Sequence, residues 1–210
     1  MSSRTYGGVT ADRRRADRRA ALLEAALDLL GTEGLHATSL RAVCVRAGLN
    51  PRYFYESFTG LDALLTEVYD RIATEITDAA ARGVAAAGPD AGLRATVRSA
   101  AMAVLAVAAD PRKARVALIE APASPALRAR QRAALRHHTR IVVDYARTFY
   151  DIPTTADAQL QFTATMLVAG WSENLIAWLD GELHAAPSDL ADMFADATEA
   201  LATQAAHHPH

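Results

Sequence analysis

The chain has 210 residues, 51% hydrophobic and 22% charged, with a formal net charge of -2. That apolar share supports one or two packed domains and excludes wholesale disorder, and the near-neutral charge excludes a polycation. A single cysteine, Cys44, forms neither an internal disulfide nor a cysteine-based zinc site, which fits a reducing compartment. No apolar run reaches the ~18 residues of a membrane span. Residues Met1 to Gly8 hold no apolar signal core, so the chain reads as cytoplasmic. Of the 22 basic residues all but Lys113 are Arg, and they are unevenly spread: residues 1–60 carry +3 and residues 61–210 carry -5. A basic front suggests a part that meets an anion.

Abundant alanine and scarce β-branched alternation predict helix throughout. The first helix runs from Asp12 to Gly31, with Leu22, Leu23, Ala26, Leu27 and Leu30 as one apolar stripe and Gly31 and Gly34 as its stop and turn. Thr38 or Ser39 caps a short second helix, 40–47, with Leu40, Val43, Cys44 and Ala47 inward. After Gly48-Leu49, Asn50 caps a third helix, Pro51 to Phe58, whose Phe54 and Phe58 point into the core. A fourth helix covers 61–86 and a fifth 91–109. A sixth runs from Asp110-Pro111 to Glu120 and is followed by a Pro-rich joint, Ala121 to Pro125. The seventh, eighth and ninth cover 125–150, 156–180 and 188–205. The expected fold class is all-α: an N-terminal three-helix domain over 1–60 and a larger helical domain over 61–210.

Helices two and three have the spacing of a helix-turn-helix, whose second helix enters the DNA major groove with its first residues at base edges. With Phe54 and Phe58 inward, Arg52 and Glu56 point outward beside Tyr53 and Tyr55. Arg52 offers paired donors to guanine. Tyr53 and Tyr55 offer hydroxyls to phosphates and ring edges to thymine methyls. Glu56 either accepts from cytosine or holds Arg52. Thr38, Ser39 and Asn50 stand at helix N-termini, where hydroxyls and free N–H groups suit a phosphate, and Arg41 and Arg46 lie off the apolar stripe. Arg13, Arg14, Arg15, Arg18 and Arg19 crowd the start of helix one, against the helix dipole. Such a run is either a solvated face or a surface beside a polyanion.

The stretch from Ala21 to Leu65 resembles the N-terminal domain of the tetracycline-repressor (TetR) family. The matching pieces are Ala37-Thr-Ser-Leu-Arg-Ala-Val-Cys-Val-Arg-Ala-Gly-Leu-Asn50, Pro51-Arg-Tyr-Phe-Tyr-Glu-Ser-Phe58 and Asp62-Ala-Leu-Leu65. The resemblance implies a homodimeric transcription regulator, usually a repressor, with about nine helices, Tyr55 on a phosphate and Tyr53 facing the groove. Leu61 stands where many members carry a Lys that reaches the DNA backbone, so that contact is absent and the helix-one arginines are candidates to replace it. Arg52 and Tyr53 are bulkier than the residues many members use, so the base preference of relatives does not transfer.

Helix eight is apolar nearly all round, which implies burial on two sides, within the subunit and against a partner. In similar proteins helices eight and nine build a four-helix dimer core. The candidates here are Val168, Ser172, Ile176, Leu179, Leu190, Met193, Phe194, Ala197 and Leu201; the bland alternative is a monomeric core helix. A two-fold dimer presents its reading helices ~34–36 Å apart or a multiple of it, hence a palindromic operator. A ligand chamber is expected from Met102, Leu105, Tyr145, Phe149, Met166, Trp171 and Asn174, with Glu120, His137, His138 and Glu173 as further polar groups inside apolar helices. The family implies that a ligand there tilts helices six and four and moves the reading heads apart.

The expected partners are an operator duplex, a second copy of the chain and a small-molecule effector, with no membrane, no cofactor and no metal. The chain lacks a phosphate loop, a Gly-x-Ser-x-Gly elbow and a His-Glu-x-x-His helix, and Cys44 reads as a core residue, so an enzyme is not expected. The rival is a helical ligand- or protein-binding module that no longer reads DNA, for which Leu61 speaks.

Overall fold

The computed structural model describes residues 11–149 and 157–207, with side chains through Gln204. All regular structure among them is helical: α1 (Ala11–Thr32), a 3₁₀ turn (Leu35–Ala37), α2 (Leu40–Ala47), α3 (Pro51–Tyr55), α4 (Leu61–Ala87) and α5 (Leu93–Ala108). A composite run over 111–123 follows and is counted as α6. Then come α7 (Pro125–Phe149), α8 (Asp157–Leu179) and α9 (Pro187–His207). The all-α, nine-helix expectation is met among the described residues. The expected helix ends at 150 and 156 and the start Met1 to Gly8 lie outside them.

Two helix ends differ from expectation by more than two residues, each for a local reason. Helix three is regular only to Tyr55; Phe58 still bonds back to Phe54 O at 2.9 Å, so Phe58 reaches the core on a closing turn. The Pro-rich stretch 121–125 is not one joint. In α6 an α-helical turn (Pro111–Arg115) leads into a π-helical turn (Val116–Glu120) and a last α-turn (Ala121–Ala123), and the break falls at Ser124, ψ 122°. Pro122 supplies no N–H and crowds the preceding turn. The π-turn, closed by Ala121 N–H on Val116 O, widens the coil just before it.

By packing, the chain forms two compact units. The first comprises residues 1–72 and 112–130, the second 73–111 and 131–210; α4 and α7 run from one into the other. In the first unit α1 packs on α2, α3 and the π-turn. Leu22, Leu30, Val43, Phe54, Leu64, Leu65, Val116 and Leu127 are its fully buried large side chains. Gly31 lets α6 lie flat on α1: a Cβ there would stand 2.5 Å from Arg112 Cβ. Arg112 then reaches Glu24 at 2.8 Å.

In the second unit α5 packs on α9, and α8 on α9. Arg94 and Arg98 of α5 pair with Asp192 and Asp196 of α9 at 2.6–3.0 Å. Trp171 of α8 stacks on Phe194 of α9 with centroids 4.5 Å apart. Val143 and Ala146 of α7 pack with Leu160 and Ala164 of α8. Gly83 of α4 admits α5 so closely that a Cβ would lie 2.5 Å from Ser99 O, and Ser99 Oγ donates to Gly83 O at 2.6 Å. No helix among the described residues is long and apolar enough to cross a membrane.

Candidate nucleic-acid interface

Local signals build the α2–turn–α3 unit. Ser39 Oγ accepts from Ala42 N–H at 3.2 Å and caps α2. Gly48 turns left-handed (φ 66°), and Leu49 N–H closes back on Cys44 O at 2.9 Å. Asn50 Oδ1 accepts from Arg52 N–H at 2.9 Å, and Pro51 takes the first helical position. Phe54 is fully buried and lies 5.7 Å from the Phe58 ring. This anchoring decides what faces out: the Arg52 side chain is 84% exposed and Tyr55 65% exposed, with Tyr53 beside them and Arg41 exposed on α2.

The arginines of α1 hold this face from behind. Arg18 lies over the Tyr53 ring, 4.4 Å from its centroid, and also meets Glu56 Oε2 at 3.4 Å. Arg15 donates to Glu56 O at 2.7 Å. Arg52 Nε stands 3.5 Å from the other Glu56 oxygen, so Glu56 bridges Arg18 and Arg52. Arg19 covers the Phe58 ring at 4.7 Å and ion-pairs with Glu67 of α4, which Arg71 also reaches at 3.0 Å. Hydrogen bonding from Arg19 holds the Glu67 carboxyl below the usual carboxylate range. Within the α1 cluster, Arg15, Arg18 and Arg19 are thus bonded to α3, the turn after it and α4 while Arg13 and Arg15 stay exposed, and Arg13 and Arg14 have partners too.

Two further candidates sit elsewhere than expected. Thr38 is buried, and its hydroxyl donates to Gly34 O at 2.8 Å, so it braces the turn before α2. Arg46 pairs with Asp28 and Glu33 and ties α2 to α1. Leu61, the departure from the family pattern, is half-buried at the start of α4. Burial pushes the Cys44 thiol above its ordinary value, as a core residue requires.

Of the chamber candidates, Leu105 is buried and Met102 and Phe149 are half-buried. Trp171 is committed to Phe194, while Tyr145, Met166 and Asn174 are exposed, Asn174 Nδ2 donating to Gly170 O at 2.7 Å. Glu120 is not a chamber group: it is buried in the first unit and accepts from Leu35 N–H at 2.9 Å. His137 is exposed. His138 is half-buried beside Thr77, whose hydroxyl donates to Ala73 O at 2.9 Å. That hydroxyl oxygen therefore accepts from His138 Nε2–H at 3.1 Å. Burial, with His137 adjacent, pushes the His138 ring below its ordinary value.

Of the dimer candidates, Leu190 is buried within the chain, and Val168, Ser172, Ile176, Leu179, Phe194 and Leu201 are half-buried. Met193 and Ala197 are exposed. Phe162, an apolar position of α8 outside the expected interface set, is 66% exposed one turn from Met166, at 53%. Among the described residues no group of three His, Cys, Asp or Glu could hold a metal.

Residues 22–68 match the family described as bacterial regulatory proteins, tetR family. No curated protein matches the chain. Among solved structures, a TetR-like transcriptional regulator from Rhodococcus sp. RHA1 is similar at 20% identity over 90% of this chain and 95% of the other, TM-score 0.68. A putative TetR-family regulator from Syntrophomonas wolfei is similar at 16% identity over 90% and 96%, TM-score 0.71. The multidrug binding protein EbrR, complexed with imidazole, is similar at 18% identity over 92% and 97%, TM-score 0.61.

Proposed function

From a chain whose residues 22–68 form a tetR-family regulatory domain, and which carries the fold of TetR-like regulators, we propose a homodimeric, ligand-released repressor that reads a palindromic operator. Residues 1–60 carry the DNA-reading task and residues 61–210 the ligand and dimer tasks. The observation that carries this reading is the α3 face, where buried Phe54 and Phe58 turn Arg52, Tyr53 and Tyr55 outward together. Arg52 gives a bidentate pair to guanine, worth ~1–3 kcal/mol of discrimination. Glu56, bridging Arg52 and Arg18, holds that guanidinium ready. Tyr55, Arg41 and the N-termini capped by Ser39 and Asn50 take phosphates; Thr38 acts only by bracing the turn. The exposed Phe162, Met166 and Met193 support a partner copy on α8 and α9.

The ligand is a small apolar or amphipathic molecule. The likeness to a multidrug binding protein supports that class. It releases DNA only if it binds the DNA-free geometry more tightly; a 100-fold preference shifts the balance by about 2.7 kcal/mol. Equal affinity for the free and DNA-bound protein would eliminate this step.

The test is selection from a random duplex pool with the wild type, Arg52→Ala and Tyr55→Ala. One palindrome is expected, with Arg52→Ala relaxing one base pair in each half-site and Tyr55→Ala weakening all sequences alike. No enrichment at low salt by a folded dimer freed of ligand would leave the rival reading, a helical binding module.

A further inference from the structure

The 3₁₀ turn Leu35–Ala37 opens on Gly34, which has no side chain with which to cap it. An exposed turn would leave Leu35 N–H to water. Here Glu120, 85 residues away and 7% exposed, accepts that N–H at 2.9 Å. Its other oxygen accepts from Arg115 Nε at 3.0 Å, so the buried carboxylate is both paired and hydrogen-bonded. Gly34 adopts φ 84°, ψ 177°, a region almost confined to glycine, and a Cβ there would stand 3.2 Å from Glu120 Oε1. The turn is thus shaped to admit the distant carboxylate.

Downstream, each link is a single bond. Thr38 N–H closes on Leu35 O at 3.1 Å, Thr38 Oγ1 donates to Gly34 O, and Ser39 caps α2. Upstream, Glu120 ends the π-turn. A π-turn adds one residue, and one residue re-aims a helix end by about 100°.

We propose that Glu120 is a positioning residue: a remote cap through which α6 seats the N-terminus of α2, and with it the DNA-reading face. This rests on the DNA-reading function proposed above. It gives α6 a direct connection to α2 within the first unit, through one carboxylate rather than through α4.

The test uses the full-length protein with Glu120→Ala and Glu120→Gln, the latter keeping shape and an amide oxygen for Leu35 N–H. Amide hydrogen exchange is read at Leu35, Ala42 and Val43, and affinity for the selected duplex is read against salt. Glu120→Ala is expected to speed exchange at least tenfold at all three amides. It should weaken DNA binding about tenfold with an unchanged salt slope, because no phosphate contact is removed. Glu120→Gln should restore most of both. Unchanged exchange in Glu120→Ala overturns the cap. Faster exchange at Leu35 alone, with wild-type affinity, reduces Glu120 to a structural anchor and overturns the positioning role. If Glu120→Ala does not fold, Glu120→Gln with wild-type exchange but tenfold weaker DNA binding also overturns it, since its amide would still cap Leu35. Should the wild type select no DNA, the function falls, while exchange at Ala42 and Val43 still decides whether Glu120 seats α2.

Discussion

The first compact unit and the second are both helical, yet they are held in different ways. In the first, the short α2 and α3 are fixed by local caps and by arginines that converge on the end of α3: Arg18 and Arg52 pair with the Glu56 carboxylate, and Arg15 donates to Glu56 O. The second relies on long helices and the Arg94–Asp192–Arg98 seam, and it leaves Phe162, Met166 and Met193 in water. On the proposed function, a surface that must meet DNA of fixed geometry is braced before it binds. On that same proposal, a surface that meets another copy of itself can leave its apolar side chains for that copy to cover.

The comparison breaks most visibly at Phe54. Truncating this fully buried ring to Ala should cost about 3–5 kcal/mol. Thermal denaturation should then split, the first unit melting before the second; a single lowered transition would mean that the units unfold together. Next, the double change Phe162→Glu and Met166→Glu should dissociate the dimer, costing about 2–4 kcal/mol of association if these are anchor residues. Sedimentation should report monomers with unchanged helix content; dimers at wild-type strength would move the interface elsewhere.

A smaller effect separates bracing from contact. Arg18→Met should weaken binding to the selected duplex by about 2–5-fold, in line with ~0.5–1 kcal/mol for a partly exposed cation–π contact, and leave the salt slope unchanged. Arg41→Gln should instead lower that slope by about two, one phosphate contact in each half-site. A reduced slope in Arg18→Met would return Arg18 to the phosphate contacts. The mildest prediction concerns acid. His138 is half-buried, with its ring value lowered by desolvation and by His137 beside it. Below about pH 6.5 the unfolded ring takes up a proton that the folded ring still refuses, so stability is whole above that pH and declines as the pH falls toward the folded value. The melting temperature of His138→Gln should decline less between pH 7 and 5 than that of the wild type.

The first unit was legible where its signals are local. Ser39, Gly48, Asn50 and Pro51 lie within a few residues of the helix ends they set, and α2 has the bounds the sequence predicts. What escaped were long-range pairings. Nothing near Arg18 announces Tyr53 or Glu56, nothing near Arg46 announces Asp28, and Glu120 looked like a chamber group because its partner is 85 residues back. In the second unit the apolar positions of α8 gave the helix but not its facing. With apolar residues nearly all round, periodicity does not distinguish Trp171, packed on Phe194, from Met166, left exposed.

Cys44 adds a use that its quiet place in the core does not suggest. Its side chain is shut between helices, and burial keeps the sulfur protonated, so an alkylating reagent reaches it only when the first unit opens. As the chain's single thiol, it makes labelling a clock for that opening, read by mass on the unmodified protein. A bound duplex should slow the clock, and a ligand that releases the duplex should let it run again.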